Sequence, residues 1–137
     1  MASLENMTNH KFGKQYKLCK KTVIDDIFQH GKTIKEYPFV LRYIKAPLDN
    51  NQPFQIVVSA PKKLHRKAVD RNKIKRLSKE ALRLNKLPLE SFCKSNNYQL
   101  GLFLIFSSKE ILSFELMDRK IKKLINKLIQ QLDEQNS

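Results

Sequence analysis

The sequence predicts a single α+β domain, a two-layer sandwich with the element order α-β-β-β-α-β-α. Its 137 residues are the length of one domain rather than two. Four segments with strand-like composition alternate with three segments of helical periodicity. Hydrophobic residues make up 41% of the chain, which is enough for one core and argues against disorder. We expect a flexible basic arm at 1–16, the domain at 17–132 and a tail at 133–137.

The first helix is expected at about 22–30. Thr22 and Asp25 have the spacing of a capping-box pair at its start. Gly31 stands where a left-handed C-terminal cap would place a glycine.

Three strands should follow, at 33–37, 38–44 and 54–60. The first is weakly patterned, and the second is rich in β-branched and aromatic residues. Because side chains alternate along a strand, the second strand has two distinct faces. One face should carry Phe39, Leu41 and Tyr43, and the other Val40, Arg42 and Ile44. The inward side chains of the third strand should be Phe54, Ile56, Val58 and Ala60.

The second half of the chain should hold two long helices around one strand. The first is a basic helix from about 66 to 86, which Pro88 ends. Residues 100–106 are apolar on both faces, which predicts a central strand. Ser107 and Glu110 have capping-box spacing before the last helix. Its apolar stripe is Phe114, Met117, Ile121, Leu124, Leu128 and Leu132.

The charge of the chain indicates a polyanionic partner. Lys and Arg total 27 against 13 Asp and Glu, a formal charge of +14. Nucleic acid is the first candidate and an anionic membrane surface the second. The longest apolar run, 100–106, is far shorter than the roughly 20 residues that span a bilayer. The first ten residues have no apolar stretch, so we expect no signal peptide and a cytoplasmic protein. Cys19 and Cys93 are then expected as free thiols.

The basic helix concentrates this charge. Residues 62–86 contain eleven basic and two acidic side chains, a net +9 of the total. A helical wheel places Ile74, Leu77, Ala81 and Leu84 on one apolar stripe, which should lie on the sheet. The opposite face is basic, with only Leu82 intruding. An ordinary solvated face mixes signs because Glu–Lys pairs support a helix. The helix is therefore predicted to bind nucleic acid, although charge alone does not choose between RNA and DNA.

Residues for catalysis on this chain are not apparent. RNA cleavage by a protein usually needs clustered carboxylates or a histidine pair. Here the acids are dispersed, and the adjacent Asp25 and Asp26 do not share a helix face. His10, His30 and His65 are expected to be surface residues or phosphate contacts. We predict no catalytic residue and no metal site on the protein.

The segment Ala68-Val-Asp-Arg-Asn-Lys-Ile-Lys-Arg-Leu77 resembles the signature of the bacterial ribonuclease P protein family. The core of that signature is usually Arg-Asn-Arg followed by Ile-Lys-Arg. The lead-in Val58-Ser-Ala-Pro-Lys-Lys63 and the segment Leu18 to Gly31 resemble the same family. The resemblance covers about residues 16–130.

The resemblance implies a left-handed β-α-β crossover and a ribonucleoprotein enzyme. Its RNA subunit would perform the chemistry with Mg²⁺ and remove the 5′ leader of precursor tRNA. The expected partners are the catalytic RNA and that leader, with no membrane and no required oligomer. A cleft between the first helix and the sheet would bind the leader through Ile24, Phe28, Val40, Arg42 and Tyr43. The expected contacts to the RNA subunit are Lys62, Lys63, Arg66, Lys67, Arg71, Asn72, Lys73, Lys75, Arg76, Lys79 and Arg83.

The chain departs from the family pattern at a few positions. Lys73 replaces the second Arg of the motif and loses its bidentate fork. Relatives often place aromatics where this chain has Ile24 and Arg42, so leader binding would rely on the charge of Arg42 or on Tyr43. The alternative functions are a ribosome-associated or general RNA-binding structural protein with no role in cleavage, and a DNA-binding module.

Overall fold

The computed structural model describes residues 13–48 and 51–136. Its sheet consists of strands β1 (Lys32–Glu36), β2 (Phe39–Lys45), β3 (Phe54–Ser59) and β4 (Leu100–Phe106). Its helices are α1 (Lys21–His30), α2 (Ala68–Asn85), α3 (Leu87–Ser95) and α4 (Phe114–Asn136), and a 3₁₀ turn covers Lys14–Tyr16. The predicted α+β class and element order are confirmed. Helix α3 is an addition that the sequence pattern did not predict.

The sheet has the strand order β1-β2-β4-β3. Strand β4 pairs antiparallel with β2 and parallel with β3. Because β4 has a neighbour on each side and is covered on both faces, its side chains are apolar throughout, as a central strand requires. The parallel β3–β4 pair needs a crossover connection, and α2 and α3 lie within it. The left hand of this crossover stays a prediction.

The main core lies on one face of the sheet, under α2, α3 and α4. The predicted alternation of β2 is confirmed, since Phe39, Leu41 and Tyr43 are all buried on this face. The predicted inward side chains of β3 also contact this core, with Val58 at its margin. Five apolar side chains of α4 are almost fully buried against them: Met117, Ile121, Leu124, Leu128 and Leu132.

Helix α1 packs on the opposite face of the sheet, so helices lie on both faces, in three layers rather than the predicted two. Val23 and Ile27 are buried against the sheet face that includes Ile44 and Phe103. Gly101 in β4 permits this close approach, because a Cβ atom there would lie 2.6 Å from Cγ1 of Val23. On the sheet face that α1 covers, Val40, Phe103 and Ile105 are only half-buried.

The helix ends differ from the predicted caps. Lys20, not Thr22, precedes the first turn of α1, and no side chain caps it. Gly31 has φ −70°, so it is not a left-handed cap. It is required for space instead, because a Cβ atom there would collide with the Ile27 carbonyl oxygen. Helix α4 begins at Phe114, where Ser113 Oγ rather than Ser107 accepts a bond from the Leu116 amide.

The ends of the domain also extend beyond the predicted boundaries. Residues 1–12 of the predicted arm lie outside the described residues. Tyr16, which the prediction assigned to the arm, is 6% exposed and belongs to the main core. Helix α4 continues to Asn136, past the predicted end at 132.

Candidate nucleic-acid interface

The basic helix α2 is rotated relative to the predicted wheel. Its buried residues are Ile74, Ser78, Ala81 and Leu82, whereas Leu84 is 43% exposed. The wheel predicted the reverse for the two leucines, because it assumed that the sheet alone covers the helix. Helix α2 packs chiefly against α4 and only partly against β3. Helix α4 covers the side of α2 that carries Leu82.

The predicted RNA-binding side chains remain on the outer surface. We call this set, on α2 and the segment before it, the basic face. Seven of its cations and one amide are exposed, and Arg71, Lys75 and Arg83 are half-buried. Several of these residues line a shallow groove of about 420 Å³. The exposed members are Lys62, Lys63, Arg66, Lys67, Asn72, Lys73, Arg76 and Lys79.

Arg71 holds the chain that leads into α2. One nitrogen of its guanidinium, Nη1, donates to the carbonyl oxygens of His65 at 2.9 Å and Arg66 at 2.8 Å. The prediction of His65 as a surface residue or phosphate contact is wrong, because its ring is buried and its Nε2 lies 2.7 Å from the Ser108 carbonyl oxygen. These contacts hold the segment that leads into α2. Arg71 therefore shapes the interface as well as adding charge to it.

Arg83 is engaged with an acid on its own helix. Its Nε and Nη2 donate to the two carboxylate oxygens of Glu80, at 3.0 and 2.5 Å. The hydrogen bond from Arg83 lowers the pKa of Glu80, and the same bond raises the pKa of Arg83. Arg83 is therefore a weaker candidate for a phosphate contact than its exposed neighbours.

A second candidate surface lies beside the C-terminal half of α1. Phe28 is 50% exposed, which is unusual for a large apolar side chain. Its ring makes an edge contact with Phe103, with centroids 4.8 Å apart. Ile24 and Val40 are half-buried nearby on the same side of the sheet. We call this surface the α1 cleft.

Two residues predicted for this cleft have other roles. The Nη2 atom of Arg42 donates to the carbonyl oxygens of Ile27 and Phe28 at 3.1 and 3.2 Å, so Arg42 caps the C-terminus of α1. Its guanidinium carbon lies 6.0 Å from the Phe28 ring centroid. Tyr43 is only 2% exposed and faces the main core, so its assignment to the cleft is wrong. Burial raises the pKa of its hydroxyl, and Gln135 donates to it at 3.3 Å.

Comparisons with known proteins identify the family of this chain. Residues 12–130 match the family model for Ribonuclease P. A ribonuclease P protein component from Porphyromonas gingivalis is 30% identical over 110 residues, which are 80% of each chain. One from Exiguobacterium is 35% identical over 85 residues, or 62% of this chain and 68% of that one. This chain belongs to the ribonuclease P protein family. Its role therefore lies in the 5′ processing of tRNA as part of that enzyme.

Solved structures of ribonuclease P proteins have the same fold. The Staphylococcus aureus protein aligns with a TM-score of 0.60 at 21% identity, over 81% of this chain and 93% of that chain. The Thermotoga maritima protein aligns with a TM-score of 0.61 at 23% identity, over 81% and 96%. At this identity the likeness establishes the fold alone.

Sequence patterns missed a buried polar cluster next to the basic face of this ribonuclease P protein. Lys86, the last of the eleven basic residues in 62–86, is only 1% exposed. Its ammonium donates to Glu90 at 2.6 Å, and the Tyr16 hydroxyl donates to the same carboxylate oxygen at 2.8 Å. The (i, i+4) spacing of Lys86 and Glu90 was a visible signal, but Tyr16 is 74 residues away from Glu90. The cluster ties the N-terminal segment to the junction of α2 and α3.

The remaining reactive groups show no assembled site in the part of the chain that the structure describes. No group of three His, Cys, Asp or Glu side chains there could hold a metal ion. Cys19 and Cys93 are free, as predicted. Burial raises the pKa of the Cys93 thiol to about 12, so it is a poor nucleophile. None of the described helices is long and apolar enough to cross a membrane.

Proposed function

We propose that this chain is the RNA-binding subunit of ribonuclease P and that the RNA subunit performs the chemistry. In this function the basic face contacts the catalytic RNA, and the α1 cleft contacts the 5′ leader of precursor tRNA. The observation that carries the proposal is the basic face itself. Most of its cations stay exposed, whereas the apolar side of α2 is anchored to α4 and β3.

The basic face would act on the RNA by neutralising phosphates. Arg66 and Arg76 are exposed and offer planar forks that fit phosphate oxygens, and Lys73 and Lys79 offer point charges. Neutralised phosphates repel each other less, so the RNA subunit would keep its compact fold at a lower Mg²⁺ concentration. Asn72 is exposed on the same surface and can bond a 2′-hydroxyl or a base edge.

We assign the Mg²⁺ ions to the RNA subunit. Magnesium binds phosphate oxygens and carboxylates, and the described residues contain no group of three His, Cys, Asp or Glu side chains that could hold a metal ion. Of the two acids on α2, Asp70 and Glu80, Glu80 forms an ion pair with Arg83. The contribution of this chain is therefore binding and positioning, with no protein group assigned to proton transfer.

Reconstitution at low Mg²⁺ tests the proposal. The purified chain is mixed with the ribonuclease P RNA of a bacterium, and 5′ cleavage of precursor tRNA is measured. We expect strong enhancement over the RNA alone, and an enhancement that fades as Mg²⁺ is raised. Binding to the RNA without any enhancement would favour the general RNA-binding alternative. Cleavage by the chain without RNA would overturn the assignment of chemistry to the RNA.

The α1 cleft makes a separate prediction about the leader. Phe28 is 50% exposed, and stacking of a base on an aromatic ring is worth about 1–3 kcal/mol. Replacement of Phe28 by Ala should therefore weaken binding of precursor tRNA by about tenfold while leaving mature tRNA unchanged. The matched control is Tyr37→Ala, which removes an aromatic ring that is 65% exposed elsewhere. An equal loss for both tRNA forms would mean that Phe28 only packs on Phe103.

A further inference from the structure

We propose that a single-stranded segment of the RNA subunit binds in a second groove, along the outer edge of β3. This inference rests on the proposed function. The groove has a volume of about 550 Å³ and lies between α2 and the segment that precedes α1. Its lining shares no residue with the α1 cleft, although Leu18 and Val57 belong to the same hydrophobic cluster as Ile24. We call it the β3-edge groove, and its rim consists of Lys14, Lys17, Lys75 and Lys79.

The rim is held in place by buried contacts. The Leu18 amide donates to the Ile56 carbonyl oxygen at 3.1 Å, so the N-terminal segment lies beside β3. Gln55 Nε2 donates to the Gln15 carbonyl oxygen at 3.0 Å. The Tyr16 hydroxyl is bound to Glu90. These contacts fix the backbone that carries Lys14 and Lys17 opposite the lysines of α2.

The charge of the groove favours a polyanion. Four lysines converge on it, and among the described residues no acidic side chain lines it. Bringing like charges together raises the energy of the folded chain, and an anionic ligand removes that repulsion. Lys75 and Lys79 also line the groove on the basic face, so the two grooves form one continuous surface. A strand bound in the β3-edge groove therefore extends the contact with the RNA subunit.

The floor of the groove favours a single strand over a duplex. It is aliphatic, formed by Leu18, Ile56, Val57 and Val58. A duplex would present mainly phosphates and 2′-hydroxyls, which an apolar floor cannot satisfy. A single strand can place its phosphates on the lysines and pack riboses or bases on the floor. The leader is assigned instead to the α1 cleft, where Phe28 lies about 10 Å along α1 from the start of that helix.

A charge-matched pair of variants tests this inference in the full chain. Lys14→Ala with Lys17→Ala removes two charges from the rim. Lys122→Ala with Lys123→Ala removes two exposed charges from α4, outside the groove. Affinity for the RNA subunit is measured over a range of salt concentrations. The rim variant should bind at least tenfold more weakly, and its log–log salt slope should fall by about 1.4, or 0.7 for each phosphate on a single strand. The control should lose less than threefold.

Additional variants distinguish failure of the β3-edge groove from failure of the proposed function. Lys14→Arg with Lys17→Arg should restore binding, because it keeps both charges. An equal loss in the rim and α4 variants would overturn the inference, since net charge alone would explain it. A loss confined to precursor tRNA with a leader, measured on the assembled enzyme, would overturn it as well. Arg76→Ala is measured in parallel: if it weakens RNA binding and the rim variant does not, the groove fails and the proposed function stands. If neither variant weakens binding, the proposed function fails too.

Discussion

Two glutamate–cation pairs lie near the C-terminal end of α2, and they differ in their exposure to solvent. Glu80 and Arg83 are on the surface, with side chains 44% and 33% exposed. Lys86 and Glu90 are buried, with side chains 1% and 10% exposed. An exposed pair contributes little to stability, because water screens it and its long side chains lose entropy. A buried pair is different, because removing one partner leaves an uncompensated charge in the core.

The buried pair serves folding, whereas the exposed pair lies on the surface proposed for binding. The buried pair and Tyr16 fix where the N-terminal segment meets the α2–α3 junction. The exposed pair lies within the basic face, where Glu80 binds the Arg83 guanidinium. Without Glu80, Arg83 could contact a phosphate. We therefore expect variants of the buried pair to change stability and variants of the exposed pair to change RNA affinity.

The largest effect should follow replacement of Glu90 by Gln. This variant leaves the Lys86 ammonium buried without its counter-charge, which should lower the free energy of unfolding by about 3–5 kcal/mol. Unfolding in denaturant, followed by circular dichroism, measures the change. The double variant Lys86→Met with Glu90→Leu should recover part of the loss, since it buries no charge. A loss below about 1 kcal/mol for Glu90→Gln would show that water reaches Lys86.

Tyr16→Phe should have the next largest effect. It removes the hydroxyl that donates to Glu90 at 2.8 Å and leaves the ring packed on Phe54. A hydrogen bond to a charged group is worth about 1.5–3 kcal/mol, so the unfolding free energy should fall by about that amount. Tyr37→Phe, at an exposed position, should leave it unchanged. If both variants behave alike, the Tyr16 hydroxyl does not stabilise the cluster.

Glu80→Gln should act mainly on binding. Its effect on the unfolding free energy should be below about 1 kcal/mol, as for other exposed ion pairs. The variant removes a negative charge from the basic face and releases Arg83. Affinity for the RNA subunit should therefore rise about threefold, with a steeper dependence on salt. The matched control is Glu115→Gln, at an exposed position on α4. An unchanged affinity would place Glu80 and Arg83 outside the interface.

The smallest effect concerns pH. The Arg83 hydrogen bond lowers the pKa of Glu80 in the folded chain. The stability from this pair is therefore present above the ordinary carboxyl pKa and lost as the pH falls through the lowered, folded-state pKa. The stability difference between the native chain and Glu80→Gln should be below about 1 kcal/mol near neutral pH and should disappear once the pH is below the lowered pKa of Glu80. A difference that grows on acidification would contradict this assignment.

The sequence determined the features that depend on local periodicity and composition. The alternation of β2, the two-faced apolar character of β4 and the stripe of α4 each predicted a burial pattern that the structure confirms. The basic face was predictable for the same reason, because charge clustering within one helix is visible in the sequence. The family signature on α2 resembled that of ribonuclease P proteins, and the family match confirms that assignment.

Only the tertiary structure decided the features that join distant parts of the chain. Leu82 rather than Leu84 is buried because α4, and not the sheet alone, covers α2. Arg42 caps α1 because β2 carries its guanidinium to carbonyls at that helix end. Tyr16 meets Lys86 across 70 residues. A helical wheel considers one helix at a time, so it cannot include a neighbour that arrives from elsewhere in the sequence. The sequence alone therefore predicted the exposed cations of the basic face, whereas the buried contacts that hold them in place required the fold.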